Sequence, residues 1–321
     1  MARTLEPYQL AERSIITKYR KVLWNPFIEA VKRYEMIQPG DRIAVCISGG
    51  KDSMLLAKLM QQLQKHSDFP FELVFLVMDP GYNELNCQKI ESNAALLNIP
   101  VTIFESDIFE VADSAGKSPC YLCARMRRGY LYSRAQELGC SKIALGHHFN
   151  DVVETTLISM FYGSQLQAML PKLHSTNFEG MTLIRPLYCV HEDDIIAWAR
   201  DNDLEFIQCA CRLTERSAAD TGDVNVSKRK EIKLLLRRLR QGNPNIEKSI
   251  FNSIHAVALD TMPGFKTGGV EHSFLERFNA METNGKFTIT VTYPSTMTVP
   301  ADYYTKTGEM FGFDVASKAV Y

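Results

Sequence analysis

Short apolar runs alternate with amphipathic stretches between residues 42 and 202. An apolar run bounded by turn residues predicts a buried strand, and apolar positions spaced by three and four predict a helix. The strands predicted in this way are 42–47, 71–78, 101–104, 142–145 and 181–184, and the helices are 54–64, 86–97, 125–138, 151–161 and 192–202. Strands that alternate with helices indicate βαβ units, so the sequence predicts a doubly wound parallel sheet of the α/β class.

Two segments rich in basic residues flank this alternating region. Residues 15–34 have the spacing of one amphipathic helix, which Pro26 splits or kinks because proline lacks a backbone donor. Residues 228–241 predict a second helix with leucines on one side and cations on the other. Its basic residues are Lys228, Arg229, Lys230, Lys233, Arg237, Arg238 and Arg240. Such a run is often only a solvated helix face, but the apolar side makes it a directed stripe that fits an RNA backbone.

The composition changes this picture little. The 321 residues include 36 Lys and Arg and 37 Asp and Glu, and this net charge of −1 does not exclude a nucleic-acid partner. No apolar run reaches the roughly 18 residues of a membrane span, and the N-terminus lacks the apolar stretch of a signal peptide. We therefore expect a cytoplasmic protein with no membrane partner. Its eight cysteines are then thiols, metal ligands or catalytic groups rather than structural disulfides.

A glycine turn follows the first predicted strand, where open α/β sheets bind ligands. It reads Ser48, Gly49, Gly50, Lys51, Asp52 and Ser53. The two glycines let an anion approach the backbone, and the N–H groups at the start of the next helix face that anion. Lys51 adds a positive charge, the serines add hydroxyls, and Asp52 can hold Mg²⁺ against phosphates. The alternative is an ordinary glycine turn. A Walker A loop is excluded, because the Gly-x-x-x-x-Gly-Lys-Ser/Thr spacing is absent.

The cysteines form a second constellation. Cys120 and Cys123 are separated by two residues at the start of a predicted helix, and Cys209 and Cys211 lie far downstream. Both members of the first pair and one of the second could hold an iron–sulfur cluster with one open iron, although such clusters usually have four cysteine ligands. From spacing alone, zinc or free thiols remain alternatives.

Polar residues also follow the predicted strand 142–145. Gly146, His147 and His148 lie at the ligand-facing edge of the sheet, and Asp151 begins the next helix. The histidines either shape the site and touch phosphate, or they cap a loop. Asp151 can equally well favour the helix dipole.

The glycine turn resembles the pyrophosphate loop of the ATP pyrophosphatase superfamily, whose members cleave ATP between its α and β phosphates and adenylate a carbonyl-type oxygen. The ordered combination of motifs, over about residues 15–260, resembles the tRNA 2-thiocytidine synthetase family, the iron–sulfur branch of that superfamily. The matching features are Pro39 to Asp41, Ser48 to Ser53, Pro119 to Cys123, Arg125, Arg127, Arg128, Leu131 to Tyr132, Ala135, Glu137 to Gly139, Lys142 to His148, Asp151, Glu154 to Thr155, Met169 to Pro171, Arg185 to Leu187, and Cys209 to Cys211.

The resemblance implies an ATP-dependent tRNA sulfurtransferase that uses Mg²⁺ and a 4Fe-4S cluster. ATP would adenylate C2 of the cytidine at position 32 in the anticodon loop, and sulfur from a cysteine desulfurase or another sulfide source would replace the oxygen. The implied nucleotide site is the loop Ser48 to Ser53 with Asp79, Gly146 and His147. The implied catalytic residues are Asp52, Arg127 and Asp151, and the implied cluster ligands are Cys120, Cys123 and Cys211, with Cys209 as a competitor for the third place.

The chain departs from the family pattern at two places. Gln208-Cys209-Ala210-Cys211-Arg212 is one residue shorter than the family's Pro-Cys-x-x-Cys-Gly, and Asn150 stands where the family commonly has the first of two Asp residues. The expected organisation is an N-terminal helical segment (1–40), a PP-loop domain (41–225), a basic region that contacts tRNA (226–280) and an extension (281–321) with strand-like alternation at 285–299. A homodimer remains open. The rival functions are a ligase or sulfurtransferase that acts on another RNA position or a small molecule, and a non-catalytic zinc and RNA-binding protein.

Overall fold

A computed structural model describes residues 5–106, 119–207, 224–276 and 278–279, with the backbone alone at 119–125 and 224–227. The chain divides into two compact units, one up to Ala256 and one from Val257 onward. The first unit holds the predicted sheet and the candidate site.

The central sheet has six strands. They are β1 (Arg42–Ile47), β2 (Glu72–Asp79), β3 (Val101–Glu105), β4 (Lys142–Ala144), β5 (Lys172–His174) and β6 (Thr182–Ile184). Their order is β3-β2-β1-β4-β6-β5, and all neighbouring pairs are parallel except β5 and β6. The doubly wound α/β prediction is confirmed, with one correction. The expectation of an entirely parallel sheet missed β5, an antiparallel strand at the edge.

Helices cover both faces of this sheet. They are α1 (Pro7–Ile16), α2 (Asn25–Arg33), α3 (Lys51–His66), α4 (Glu84–Leu96), α5 (Pro119–Glu137), α6 (Phe149–Tyr162), α7 (Glu192–Asp201), α8 (Val224–Gly242) and α9 (Ile246–Ser253). The helices predicted between residues 54 and 241 all form, with shifted ends, whereas α9 and most of α1 were not predicted. Within the described ranges, none of the helices is both long and apolar enough to cross a bilayer.

The prediction of a helix over residues 15–34 that Pro26 splits or kinks is confirmed only in part: the segment is helical and divided, but Pro26 does not interrupt a helix interior. The helix α1 ends at Ile16, a short π-helix runs from Arg20 to Trp24, and α2 begins at Asn25. Pro26 lies in the first turn of α2 rather than in a helix interior. Proline is common at this position, because its fixed φ suits the first turn of a helix.

Strand β1 shows how the sheet positions the site, because it is buried on both faces. Ile43 and Val45 belong to the larger apolar cluster, together with side chains of α3 and α7. Ala44 and Cys46 belong to a second cluster on the opposite face, with Tyr132 of α5. A strand with two apolar faces sits in the middle of a doubly wound sheet, so the turn after β1 opens at the centre of the molecule's first unit.

The second unit contains a small hairpin, β7 (Gly264–Thr267) and β8 (Val270–Ser273). The two residues that join the strands, Gly268 and Gly269, have φ values of +56° and +80°. Two successive positive values are typical of the tight hairpin turn that matches the twist of its strands. The strand-like alternation at 285–299 lies outside the described residues.

Candidate active site

The glycine turn connects β1 to α3 and folds back on itself. Gly49 has a φ of +82°, and an added Cβ would lie 2.6 Å from both Ile90 and Ile207. The Ser53 hydroxyl accepts a hydrogen bond from the Ser48 amide at 3.1 Å and donates to the Gly50 carbonyl at 2.9 Å. Position 49 therefore requires glycine, because of its positive φ and because a side chain has no room there. The two hydrogen bonds of Ser53 tie the loop to the first turn of α3.

The turn after β4 packs directly against this loop. A Cβ on Gly146 would lie 3.1 Å from the Ser53 amide nitrogen and 3.2 Å from the Asp52 carbonyl carbon. Because β4 lies beside β1, and β2 lies on the other side of β1, this is the point where the strand order reverses. Open α/β sheets bind their ligands in the crevice at that point.

Lys51 is held between two carboxylates. Its Nζ lies 3.0 Å from the Glu192 carboxylate and 3.2 Å from that of Asp52. Burial lowers the pKa of Lys51, but the two negative charges outweigh burial and raise it. Burial likewise raises the pKa of Glu192, but the Lys51 charge outweighs that and brings it to about 2. The pair is therefore ionised at neutral pH.

Glu192, the first residue of α7, is a site residue that the sequence analysis missed. Acidic residues at a helix start are common because they favour the dipole. Glu192, Asp193 and Asp194 together form such a start. Nothing in that local pattern shows that Glu192, rather than one of its two neighbours, contacts Lys51.

A cavity of about 540 Å³ opens beside the loop. Its walls combine residues from the loop, from α5, from the turn after β4 and from the end of β6. They include Ser48, Asp52, Ser53, Arg127, Arg128, Gly146, His147, Asp151 and Arg185. The structure thus brings the expected phosphate loop and the expected residues Arg127 and Asp151 to one cavity.

Asp79 plays a structural part next to this cavity. Its carboxylate accepts hydrogen bonds from the amides of Gly81 and Tyr82, at 2.8 and 2.7 Å. The Tyr82 hydroxyl in turn accepts a hydrogen bond from Arg127 at 2.7 Å. The loop after β2 therefore connects Asp79, by two steps, to the arginine of α5.

Two nitrogen atoms in the cavity wall lack partners. The Nδ1 atom of His147 and the Nε atom of Arg185 are buried without a hydrogen bond in the described part of the chain. Burial first, and then the nearby Arg185 charge, lowers the pKa of His147 to about 4, so the ring is neutral at pH 7. Unpartnered buried polar atoms in a cavity indicate that a polar ligand completes the site.

His148 and Asp151 together cap the start of α6, and Asp151 also faces the cavity. The Asp151 amide donates to His148 Nδ1 at 3.4 Å, and the His148 amide donates to the Asp151 carboxylate at 3.1 Å. This reciprocal arrangement caps the start of α6. Asp151 also lines the cavity, so capping fixes its carboxylate there.

The basic helix α8 turns part of its charge inward. Arg229 lies 3.6 Å from Asp151 and 3.5 Å from Glu154. Lys233 lies 3.1 Å from Glu192 and 3.6 Å from Glu154. Burial raises the pKa of Glu154 to about 7, against the opposing effect of the two cations. This side of α8 is therefore docked on the acids around the cavity, which differs from the expectation of a wholly RNA-facing stripe.

Asn150, the departure from the family pattern, has a partner on each side of its amide. Its oxygen accepts a hydrogen bond from the Glu192 backbone amide at 2.9 Å, and its nitrogen donates to the Glu247 carboxylate at 3.4 Å. Glu247 also pairs with Arg240 at 2.6 Å. An aspartate at position 150 would face the Glu247 carboxylate, and the asparagine avoids that repulsion.

The predicted cluster ligands lie only partly within the described structure. The backbone of Cys120 and Cys123 forms the beginning of α5. Arg127, one turn after Cys123 and thus about 6 Å farther along the axis, already lines the cavity. Cys209 and Cys211 lie outside the described residues.

The sequence profile of the PP-loop domain family matches residues 18–214. The tRNA-cytidine(32) 2-sulfurtransferase of Geobacter sulfurreducens is 37% identical over 240 residues, which is 74% of this chain and 90% of that protein. The enzyme of the same name from Neisseria meningitidis serogroup C is 42% identical over 198 residues, or 60% of this chain and 61% of that one. The U34-tRNA thiolase NcsA from Methanococcus maripaludis with its [4Fe-4S] cluster shares the fold, with a TM-score of 0.57, 20% identity and coverage of 74% of this chain and 80% of that one. The chain therefore belongs to the tRNA-cytidine(32) 2-sulfurtransferase family of PP-loop proteins.

Proposed function

We propose that this protein binds ATP and tRNA in the cavity beside the glycine turn and replaces O2 of cytidine 32 with sulfur. One observation carries the proposal: a single cavity is lined by the phosphate loop and by Arg127 and Arg128 of the cysteine-bearing helix α5. Activation of an oxygen and its replacement on the same carbon require both elements within reach of one substrate atom. Holding them together gains rate by proximity.

The loop supplies the groups that hold the triphosphate. The backbone at Gly49 and Gly50 and the N-terminus of α3 face the anion, and Lys51 adds its charge. The Asp52 carboxylate lines the cavity beside Lys51, and a carboxylate oxygen suits Mg²⁺. These residues therefore fit ATP with Mg²⁺, and they hold the β and γ phosphates as the leaving group.

The first step joins O2 of the cytidine to the α phosphorus and releases pyrophosphate. Arg127 is the cation for the charge that develops on the α phosphate, and its hydrogen bond to Tyr82 fixes its direction. Asp151 is oriented by the cap with His148 and faces the same cavity. The oxygen of the base then leaves as part of AMP, so a poor leaving group becomes a good one.

The thiolate ligands fit a 4Fe-4S cluster by their chemistry. Cys120, Cys123 and a third cysteine would hold the cluster, which supplies sulfide for the carbon when bound; the sulfide comes from a cysteine desulfurase or another source. Ile207, the last described residue before the later pair, packs its side chain against Gly49 of the phosphate loop. The chain therefore approaches that loop just before Cys209 and Cys211 in the sequence, which supports one of the two as the third ligand.

The outer side of α8 supports an approach route for tRNA. Lys230, Arg237 and Arg238 are exposed, in contrast to the docked cations on the inner side. Exposed cations near the site can follow the phosphate backbone, which supplies most of the sequence-independent affinity for RNA.

Nucleoside mass spectrometry of tRNA from cells with and without this gene tests the proposal. The proposal predicts that 2-thiocytidine disappears without the gene and returns with a plasmid copy. A copy with Lys51→Met should not restore it, because the loop loses its charge. Retention of 2-thiocytidine in the deletion strain, or loss of a different modified nucleoside, would contradict the proposed substrate.

A further inference from the structure

The cavity has a cationic wall that the proposed chemistry does not use. Arg185 directly follows β6 and lines the cavity together with Arg128 of α5. One terminal nitrogen of Arg185 donates to the Leu170 carbonyl, but its Nε is buried and has no partner in the described structure. Burial lowers the pKa of Arg185 to about 10, so the group stays charged at neutral pH. A buried charge with an unused donor beside a cavity is stabilised by an anion.

An anion bound at Arg185 would lie at a different strand of the sheet from the nucleotide. Asp79 ends β2, the phosphate loop follows β1, His147 follows β4, and Arg185 follows β6. Neighbouring strands are about 4.8 Å apart, so Arg185 lies about 10 Å from the loop, on the side away from Asp79. A nucleotide with its base at β2 and its phosphates at β1 does not extend to β6. An anion at Arg185 therefore belongs to the second substrate.

We propose that Arg185 and Arg128 form a subsite for a phosphodiester of the RNA substrate, adjacent to the nucleotide that is modified. Guanidinium groups recognise phosphate oxygens through paired charged hydrogen bonds. Anchoring a backbone phosphate here fixes the distance between the base and the phosphate loop. This inference rests on the proposed function and adds a specificity element to it.

A purely structural role for Arg185 is the competing explanation. Its hydrogen bond to Leu170, and the 2.9 Å bond from its amide to the Pro171 carbonyl, both tie down the segment before β5. Arg128 separates the two explanations, because it is exposed on α5 and its replacement leaves the apolar core intact. Arg134, on the same helix and paired with Glu137 at 2.8 Å, is the matched control for loss of one positive charge.

The test measures tRNA binding by the full-length, anaerobically purified protein at several salt concentrations. Each phosphate contact to single-stranded nucleic acid adds about 0.7 to the slope of log affinity against log salt. Arg185→Gln and Arg128→Gln should each reduce that slope by about 0.7, whereas Arg134→Gln should not. The affinity for a non-hydrolysable ATP analogue should stay within twofold of wild type in all three.

Three results would overturn the subsite. Unchanged salt slopes in both cavity variants, with unchanged binding of the ATP analogue, would leave Arg185 with a structural role alone. Weakened binding of the ATP analogue, with unchanged tRNA slopes, would assign the two arginines to the nucleotide. If Arg185→Gln melts early, Arg128→Gln decides between these outcomes. A wild-type protein that binds no tRNA would refute the proposed function as well, whereas a thiolating wild type with unchanged variant slopes would refute the subsite alone.

Discussion

Asn150→Asp is the change whose cost can best be worked out from the structure. The buried amide nitrogen of Asn150 donates to the Glu247 carboxylate at 3.4 Å, and an aspartate would replace that donor with a second carboxylate. Two unit charges at 3.4 Å repel by about 5 kcal/mol at an effective dielectric constant of 20. The repulsion cannot cost more than protonating the new aspartate would. For a group with the ordinary pKa of aspartate, protonation at pH 7 costs about 4 kcal/mol. The pairing of Glu247 with Arg240 relieves part of the repulsion, so we expect a loss of about 2–4 kcal/mol.

The pH dependence of this loss has a definite sign. The neighbouring carboxylate raises the pKa of the new aspartate in the folded state above its unfolded value. The penalty is therefore small near pH 4 and grows as the pH rises toward the folded-state pKa. Between pH 7 and pH 5, the loss should shrink by roughly 0.7–2.5 kcal/mol, because one pKa unit corresponds to about 1.4 kcal/mol.

Urea denaturation at pH 7 and pH 5 measures these differences. Adding Glu247→Gln to Asn150→Asp restores a donor opposite the new carboxylate. The double-mutant cycle should then show a favourable coupling of about 2 kcal/mol. Asn245→Asp, at the exposed cap of α9, makes the same chemical change without a carboxylate partner and should cost less than about 0.5 kcal/mol. An Asn150→Asp protein as stable as wild type at pH 7, or a cycle without coupling, would show that residue 150 and Glu247 do not interact through charge.

Three further changes test other parts of the site. Gly146→Ala should weaken binding of an ATP analogue at least tenfold, because its Cβ would push against the backbone of the phosphate loop; Gly242→Ala, with open space around it, should have no effect on that titration. Glu192→Gln should lower stability at pH 7, and urea titrations should show the difference narrowing as the pH falls from about 4.5 toward 2, where the wild-type carboxylate becomes protonated. Either Cys211→Ala or Cys209→Ala should lose iron and acid-labile sulfide after anaerobic purification, and full cluster content in both would exclude the later pair as ligands.

Sequence patterns predicted most of the fold because they are local. The apolar run 42–47, the glycine turn and the leucine-rich helix that follows are contiguous, so β1, the phosphate loop and α3 could be recognised together. β5 could not, since Lys172–His174 is three residues long and lies at the sheet edge, where no apolar run is needed. The helix α9 was missed for a similar reason, because its eight residues are too few to show a clear periodicity.

The electrostatics of the site depend on contacts that no local pattern contains. Lys51 and Glu192 meet although 141 residues separate them in the sequence. In the sequence, the cations on the inner side of α8 do not differ from those on the outer side. Only their closeness to Glu154 and Glu192 in the folded structure distinguishes them. The reason for asparagine at position 150 became visible only when Glu247 was found beside it. Tertiary charge pairing therefore marks the limit of what the sequence could predict here.

In the proposed reaction, O2 of the cytidine is activated by ATP and leaves on AMP within one cavity. A single-turnover reaction with an anticodon stem–loop that carries ¹⁸O at C2 of cytidine 32 follows that oxygen. The label should appear in AMP, with one labelled oxygen for each 2-thiocytidine formed. Unlabelled AMP accompanying thiolated RNA would contradict it, because the oxygen would then have left by a route that bypasses the phosphate loop.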